Sequence, residues 1–233
     1  MEQKTLGILG GMGPLASLEF LRTIYKCNRD GSAEQDYPNV VLHSLSSVPD
    51  RTDSLLNDGE KALEDALVRN LRVLDSSGVS KIVICCFTSH TLIRRLPKEI
   101  TGKIVSLVDL TARELMVRKE KSLLLASLGS YRRHVFRSTE DAIRAKDDIV
   151  EPEDEDKILI HGLIYEYLKP GKDVAPVYTV IKELLDKYGL NSFIAGCTEF
   201  HLLSRYIDAN AIPDISFVDP LFVIARRLKE ILD

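Results

Sequence analysis

Lys81-Ile82-Val83-Ile84-Cys85-Cys86-Phe87-Thr88-Ser89-His90 joins an apolar, β-branched run of strand length to a cysteine, then to small hydroxyl residues able to open a helix. The pattern returns as Asn191-Ser192-Phe193-Ile194-Ala195-Gly196-Cys197-Thr198-Glu199-Phe200. Two strand ends, each with a cysteine and a nearby threonine, point to two thiols facing one pocket.

Upstream, Thr5-Leu6-Gly7-Ile8-Leu9 reads as a buried strand, with Gly10-Gly11-Met12-Gly13-Pro14 as its exit turn. Proline suits a first helical position, and Leu15, Leu18, Leu21 and Ile24 recur at helical spacing over residues 14–28. A strand over 39–44, the loop Pro49-Asp50-Arg51-Thr52 and a helix over 59–76 closed by Gly78 lead to the cysteine strand. A helix to 96, a strand over 104–108 and a helix from Asp109 complete the first half.

The second half repeats this order. A strand over 122–127 leaves through Leu128-Gly129-Ser130 into a helix reaching Lys146, followed by the apolar pair Ile149-Val150. The acidic run over 151–156 reads as a solvated segment and acidic helix start rather than a metal site. Helices over 155–168 and 174–188, the second cysteine strand, a strand over 215–218 and a helix from Pro220 follow. Strands alternating with helices predict α/β layers with parallel sheets.

Landmarks of the two halves pair up. Lys4-Thr5-Leu6-Gly7-Ile8-Leu9 matches Lys121-Ser122-Leu123-Leu124-Leu125-Ala126 at a spacing of 117 residues, Cys86 matches Cys197 at 111, and Val108-Asp109 matches Val218-Asp219 at 110. The expected architecture is therefore two pseudo-symmetric lobes, each a mostly parallel sheet flanked by helices, with the active site in the cleft between them.

Composition bounds the alternatives. The chain has 233 residues, 45% hydrophobic and 28% charged, enough for one large or two small cores. A net charge of −4 argues against a nucleic-acid footprint, and no apolar run approaches the roughly 18 residues of a membrane helix. Met1-Glu2-Gln3-Lys4-Thr5 runs almost directly into a strand, without the layout of a signal peptide. The four cysteines match no zinc spacing or disulfide framework, so free thiols in a reducing cytoplasm are expected.

Ligands of open parallel sheets bind beyond the carboxyl ends of the strands, where Cys86 and Cys197 fall. Thr88 and Thr198 are candidates to begin helices, whose free N–H groups favour a carboxylate and ease ionisation of a nearby thiol from its usual pKa of about 8.5. A lone buried cysteine is more often inert packing, the role expected of Cys85 and Cys27. Two at equivalent ends of a repeat favour function. His90 and His201, each four residues beyond its cysteine, are read as structural.

Together, Ile8-Leu9-Gly10-Gly11-Met12-Gly13-Pro14, Pro49-Asp50-Arg51-Thr52, Cys86-Phe87-Thr88-Ser89-His90 and Gly196-Cys197-Thr198-Glu199 resemble the aspartate/glutamate racemase superfamily, in its aspartate racemase branch. The resemblance spans nearly the whole chain. It implies cofactor-independent racemisation of an amino acid or related dicarboxylate by Cys86 and Cys197, one on each side of the substrate Cα. It also implies that Arg51 grips a carboxylate, that Lys169 is a second cationic contact, and that Met12, Thr88, Ser89, Thr198 and Glu199 line the substrate. A surface ion pair for Arg51 or Lys169, and an acid merely in a helix's first turn for Glu199, are the simpler alternatives. A C-terminal helix returning to the first lobe is implied too, dividing the chain into 1–112 plus 208–233 and 113–207, as is a homodimer. Phe87 stands where the family usually has asparagine, so an altered substrate side chain or reduced activity is expected. Ser127-Leu128-Gly129-Ser130 has serines where the family tends to show threonine.

Competing readings are a non-catalytic or altered-specificity carboxylate-binding homologue and a single-cysteine isomerase or decarboxylase of the same superfamily. Gly11-Met12-Gly13-Pro14-Leu15-Ala16 formally fits a dinucleotide fingerprint, but the second strand ends in His43-Ser44 with no acid for a ribose hydroxyl.

Overall fold

The computed structural model describes residues 4–29, 31 and 33–233. Residues 1–3, read above as the lead into the first strand, lie outside the described residues. Among the described residues seven strands form: β1 (Thr5–Gly10), β2 (Asn39–Ser44), β3 (Lys81–Ile84), β4 (Ser122–Leu125), β5 (Ile149–Val150), β6 (Ser192–Ala195) and β7 (Ser216–Val218). They make two wholly parallel sheets, in the orders β2-β1-β3 and β5-β4-β6-β7. The expected two-lobed α/β architecture is what the chain adopts.

Alternation along the strands sorts side chains into three cores. Leu6, Ile8 and Val83 of the first sheet and Leu124 and Ile194 of the second share one inter-lobe core with Phe20, Phe136 and Leu221. Leu9, Ile82 and Ile84 face outward under Leu63, Leu67 and Leu71 of the helix Glu60–Ser76. Leu125, Phe193 and Ala195 face outward under Ile160, Ile181 and Leu185. Burial on both faces explains the continuous apolar runs. The same alternation carries Cys86 into the outer core of the first lobe and Cys197 into that of the second, while Cys85 joins the inter-lobe core.

The sheet register corrects the repeat by one residue. Leu9 pairs with Ile84, and Leu125 with Ala195, each partner two residues before its cysteine. Leu9 is thus equivalent to Leu125, a spacing of 116 rather than 117. The strand expected over 104–108 reduces to a single bridge from Ile104 to Ile82. Ser106 accepts from the Asp109 N–H and caps a helix, Leu107–Arg118, so helical capping overrides the apolar run. The long helix expected up to Lys146 is broken at His134, whose φ is 49°, and restarts as Glu140–Arg144 under a Thr139 cap. Cys27, expected in the core, is exposed at the end of the helix Pro14–Cys27. The acidic run begins the helix Asp154–Leu163, but Asp156 is buried, accepting from Lys187 Nζ at 2.7 Å and Tyr188 OH at 2.6 Å.

The chain's last elements knit the lobes together. β7 pairs with β6 in the second sheet, whereas the helix Pro220–Arg226 packs on Pro14–Cys27 and Leu107–Arg118. His201, fully buried, links all three parts: its Nδ1 lies 2.7 Å from Asp219 Oδ2 and its Nε2 lies 2.9 Å from Thr23 Oγ1. The Thr23 hydroxyl already donates to the Glu19 carbonyl, so Nε2–H donates to Thr23. The other ring nitrogen, Nδ1, faces the Asp219 carboxylate. The structural reading of His201 holds. Asp219→Ala leaves that ring nitrogen facing no acceptor in a dry core. We expect a loss of about 3–5 kcal/mol in urea unfolding.

Candidate active site

The segments that carry the two cysteines, Met12 and Arg51 all follow the carboxyl ends of strands. β1 leads into Gly11-Met12-Gly13, where Gly11 has φ of 86° and a Cβ would lie 2.3 Å from the Leu45 backbone N. Only glycine makes that turn, and it lets the chain pass close to the exit of β2. Residue 13 then caps the helix Pro14–Cys27.

The loop expected after β2 holds through Asp50 but stops short of Arg51 and Thr52. Those two open a short helix, Arg51–Leu56, with Asp50 as its cap accepting from the Asp53 N–H at 3.0 Å. This places Arg51 in the first turn, 8% exposed, donating through Nη1 to the Pro49 carbonyl and through Nη2 to that of Met12. Burial alone would lower the Arg51 pKa. The adjacent sulfur of Cys86 and the carboxylates of Asp50 and Glu199 outweigh it and hold the pKa above its ordinary value.

Cys86 follows β3, and Thr88 opens a 3₁₀ helix, Thr88–Arg95. Thr88 Oγ1 lies 3.0 Å from Ser127 Oγ and 2.9 Å from Ser130 Oγ, a hydroxyl cluster bridging the lobes. Ser89 faces the Met12 sulfur at 3.7 Å. His90 is buried and receives the Leu107 N–H on Nε2, so its Nδ1–H donates to the Cys86 carbonyl at 3.0 Å. Burial depresses its pKa to about 4, keeping it neutral, so it serves structure as expected.

Cys197 follows β6 and is 8% exposed. Its thiol donates to Glu199 Oε2 at 2.8 Å. Thr198, opening the turn Thr198–Phe200, donates to the Cys85 carbonyl at 3.2 Å and so ties the second lobe to the first. Burial pushes the Cys197 thiol well above its ordinary pKa, and the charge of Glu199 pushes the same way. Cys86 and Lys169 are also among the groups that Cys197 feels. Cys85, by contrast, is packing: burial raises its pKa steeply.

Lys169 meets Asp50 across the lobes at 3.2 Å, and its Nζ lies 3.4 Å from the centroid of the Tyr165 ring. Tyr165 OH donates to the same Asp50 carboxylate, 2.8 Å from Oδ2 and 3.0 Å from Oδ1. Burial would raise the Asp50 pKa, but the Asp53 amide, Lys169, Tyr165 and Arg51 together lower it to about 2. Asp50 and Tyr165 were not among the expected site residues. Asp50 carried a signal as an acid three residues before Asp53 at a helix start, and Tyr165 carried none. A π-helical turn, Ile164–Leu168, presents Tyr165 just before Lys169. All nine expected site residues therefore converge from the two lobes. Phe87 does not turn toward them: it is 1% exposed, with its ring centroid 5.1 Å from that of Phe136 in the inter-lobe core.

A family model described as Asp/Glu/Hydantoin racemase matches residues 9–228. Among solved structures, Picrophilus torridus aspartate racemase superposes with a TM-score of 0.82 at 22% identity, covering 98% of this chain and 94% of that one. An aspartate racemase homologue from Pyrococcus horikoshii OT3 gives 0.66 at 20% identity, covering 98% and 99%. A glutamate racemase from Francisella tularensis in complex with D-glutamate gives 0.61 at 15%, covering 100% and 82%. At these identities the likeness to the solved structures is one of fold.

Two outcomes follow from the electrostatics. Replacing Glu199 with glutamine removes a negative charge from beside Cys197, so alkylation of Cys197 by iodoacetamide, followed by peptide mass spectrometry, should begin at lower pH than in the parent. The Asp50 carboxyl, followed by ¹³C NMR, should titrate near 2 and move toward 3.8 in Tyr165→Phe. Because its folded pKa is depressed, the stability it lends is present above about pH 4 and is lost as pH falls toward 2.

Proposed function

We propose, from the premise that the chain belongs to the Asp/Glu/Hydantoin racemase family, that it is a racemase of an aspartate- or glutamate-type amino acid working by two cysteine bases. The observation that carries this reading is the matched placement of Cys86 and Cys197. Each lies two residues beyond a strand, β3 or β6, that pairs with the leading strand of its lobe, on the outward face of its sheet, and Cys197 feels the charge of Cys86. Neither pyridoxal phosphate nor a metal takes part.

In this reading Cys86, whose sulfur lies beside the guanidinium of Arg51, removes the Cα proton as a thiolate. Cys197, held as a thiol by burial and Glu199, returns a proton to the opposite face. The reverse reaction exchanges the roles. Negative charge spreading into the substrate carboxylate is stabilised by Arg51 and by the N–H groups at the turns begun by Thr88 and Thr198. Ser89 and Met12 shape the wall beside Cys86. Lys169 serves a second carboxylate, in competition with Asp50. We further assign the lobes to residues 1–112 plus 208–233 and 113–207, with β7 contributing to the second sheet, and infer a cytoplasmic homodimer. Among the described residues, no helix is long and apolar enough to cross a membrane.

Incubation in D₂O with D- and L-aspartate and glutamate, followed by polarimetry and NMR, is expected to show Cα deuteration together with racemisation. Cys86→Ala and Cys197→Ala should each lower racemisation by about 10²–10⁴-fold or abolish it. A Cys86→Ala protein racemising at the parent rate would sink the two-base reading. Decarboxylation or isomerisation that survives loss of one thiol would point to the single-cysteine chemistry instead.

A further inference from the structure

A cavity of about 550 Å³, a size that suits a small molecule, is walled by both halves of the chain and by none of the nine expected site residues. Arg94, Ser106 and Asp109 line it from the first half, and Arg133, Arg137 and Thr139 from the second. Arg94 reaches across to donate to the Ser138 carbonyl at 2.8 Å, so its guanidinium stands against the opposite wall. Arg137 pairs with Glu151 at 3.1 Å, and Arg133 pairs with Glu60, a carboxylate that also serves Arg95. Among the described residues Arg94 makes no ion pair, and most of its five N–H donors are unspent.

Two hydroxyls on the same walls also have a proton to give. Ser106 Oγ accepts the Asp109 N–H at 3.1 Å, and Thr139 Oγ1 accepts the Ala142 N–H at 3.2 Å. Each caps a helix as an acceptor, and among the described residues neither donates, so both O–H groups are available. His90, held neutral by burial, adds no charge to the wall. Against three guanidinium groups stands one carboxylate, Asp109, whose side chain makes neither an ion pair nor a hydrogen bond among the described residues.

A concavity rich in donors, with surplus positive charge and a single acid, fits an oxyanion joined to a body that carries hydroxyls. We propose that this cavity is a second ligand site and binds the phosphate monoester of a small polyol. Arg94 and Arg137 hold the phosphate, and Asp109 accepts a hydroxyl of the ester body. A phosphate monoester brings three terminal oxygens and a charge of about −1.5 to −2, enough for guanidinium forks arriving from two walls, where a carboxylate brings two oxygens and one charge. Asp109 works against a bare anion, so the hydroxyl-bearing body is what turns it from an obstacle into a partner. Because its two phosphate contacts come from different halves of the chain, the ligand ties those halves together. The site stands apart from the two cysteines and does not depend on the racemase reading.

Isothermal titration of the full chain, in a buffer free of phosphate, with ribose 5-phosphate, inorganic phosphate and ribose tests this. Ribose 5-phosphate should bind about tenfold or more tightly than inorganic phosphate, as one added hydrogen bond to a charged group predicts, and ribose should not bind. Arg94→Gln and Arg137→Gln should each weaken the ester about tenfold or more. Both side chains are exposed, so both variants should fold, which circular dichroism checks. Asp109→Ala should bring the ester and inorganic phosphate to within about twofold of each other. Lys169→Gln, a change in the cysteine cleft, should leave the affinity for the ester within about twofold. No binding of ribose 5-phosphate at millimolar concentration overturns the proposal. Binding that survives both arginine changes, or that falls only with Lys169→Gln, does so as well. Inorganic phosphate that binds as tightly as the ester overturns the polyol monoester as the ligand.

Discussion

One carboxylate, that of Asp50, belongs to both lobes at once. It caps the helix Arg51–Leu56 from within the first lobe and receives Tyr165 OH and Lys169 Nζ from the second. The residue it caps into place is Arg51, so the guanidinium beside Cys86 is positioned by the contact that spans the cleft. Its half-buried setting keeps the charges from being fully screened, unlike the exposed ion pairs scattered over the surface. The π-helical turn Ile164–Leu168 belongs to the same device. Its wider winding, closed by the Lys169 N–H on the Ile164 carbonyl at 2.9 Å, resets the phase of the helix just where Tyr165 and Lys169 must reach Asp50.

Duplication alone would give two equivalent thiols. The chain breaks that equivalence with charge while keeping it in geometry. Cys86 and Cys197 occupy matching positions beyond matching strands, yet a cation stands by the first and a carboxylate holds the second. Under the two-base reading proposed above, one proton acceptor and one proton donor are needed in the same instant, and unlike neighbours give two chemically identical groups different surroundings. The histidines diverge similarly. Both lie four residues past a cysteine, but His90 is a neutral link between the Cys86 carbonyl and the helix Leu107–Arg118, whereas His201 meets a carboxylate.

What the sequence discloses follows from the range of each interaction. β1 is legible because burial on both faces leaves a continuous apolar run, and the cysteines because the same run occurs twice. Arg51 is legible from the motif around it. The run over 104–108 is as apolar as a true strand, and only the Ser106 cap, a local hydrogen bond, makes its second part helical. The ties from Tyr165 and Lys169 to Asp50 join residues 115 and 119 apart in the chain, so no local pattern encodes them. Glu199 is visible as an acid after a cysteine. That one of its oxygens is engaged and the other free depends on how closely Gly13, from the other lobe, approaches.

Phe87 illustrates how a departure from a family pattern can change meaning in three dimensions. Read along the chain, it lies between Cys86 and Thr88, and an apolar ring there looks like a lost substrate contact. In the fold its side chain turns into the inter-lobe core, where Phe136 of the second lobe meets it. An amide at that depth would need donors and acceptors that Phe136 does not offer, at a cost of about 1–3 kcal/mol for each group left unpaired. The ring is thus matched to its partner in the opposite lobe, and its first effect is on how the lobes pack. Under the racemase reading proposed above, discrimination among substrates falls to charged groups of the cleft such as Arg51, Glu199 and Lys169. Of these, Lys169 already has an anion in Asp50, so in that reading a substrate's second carboxylate must share or displace that partner.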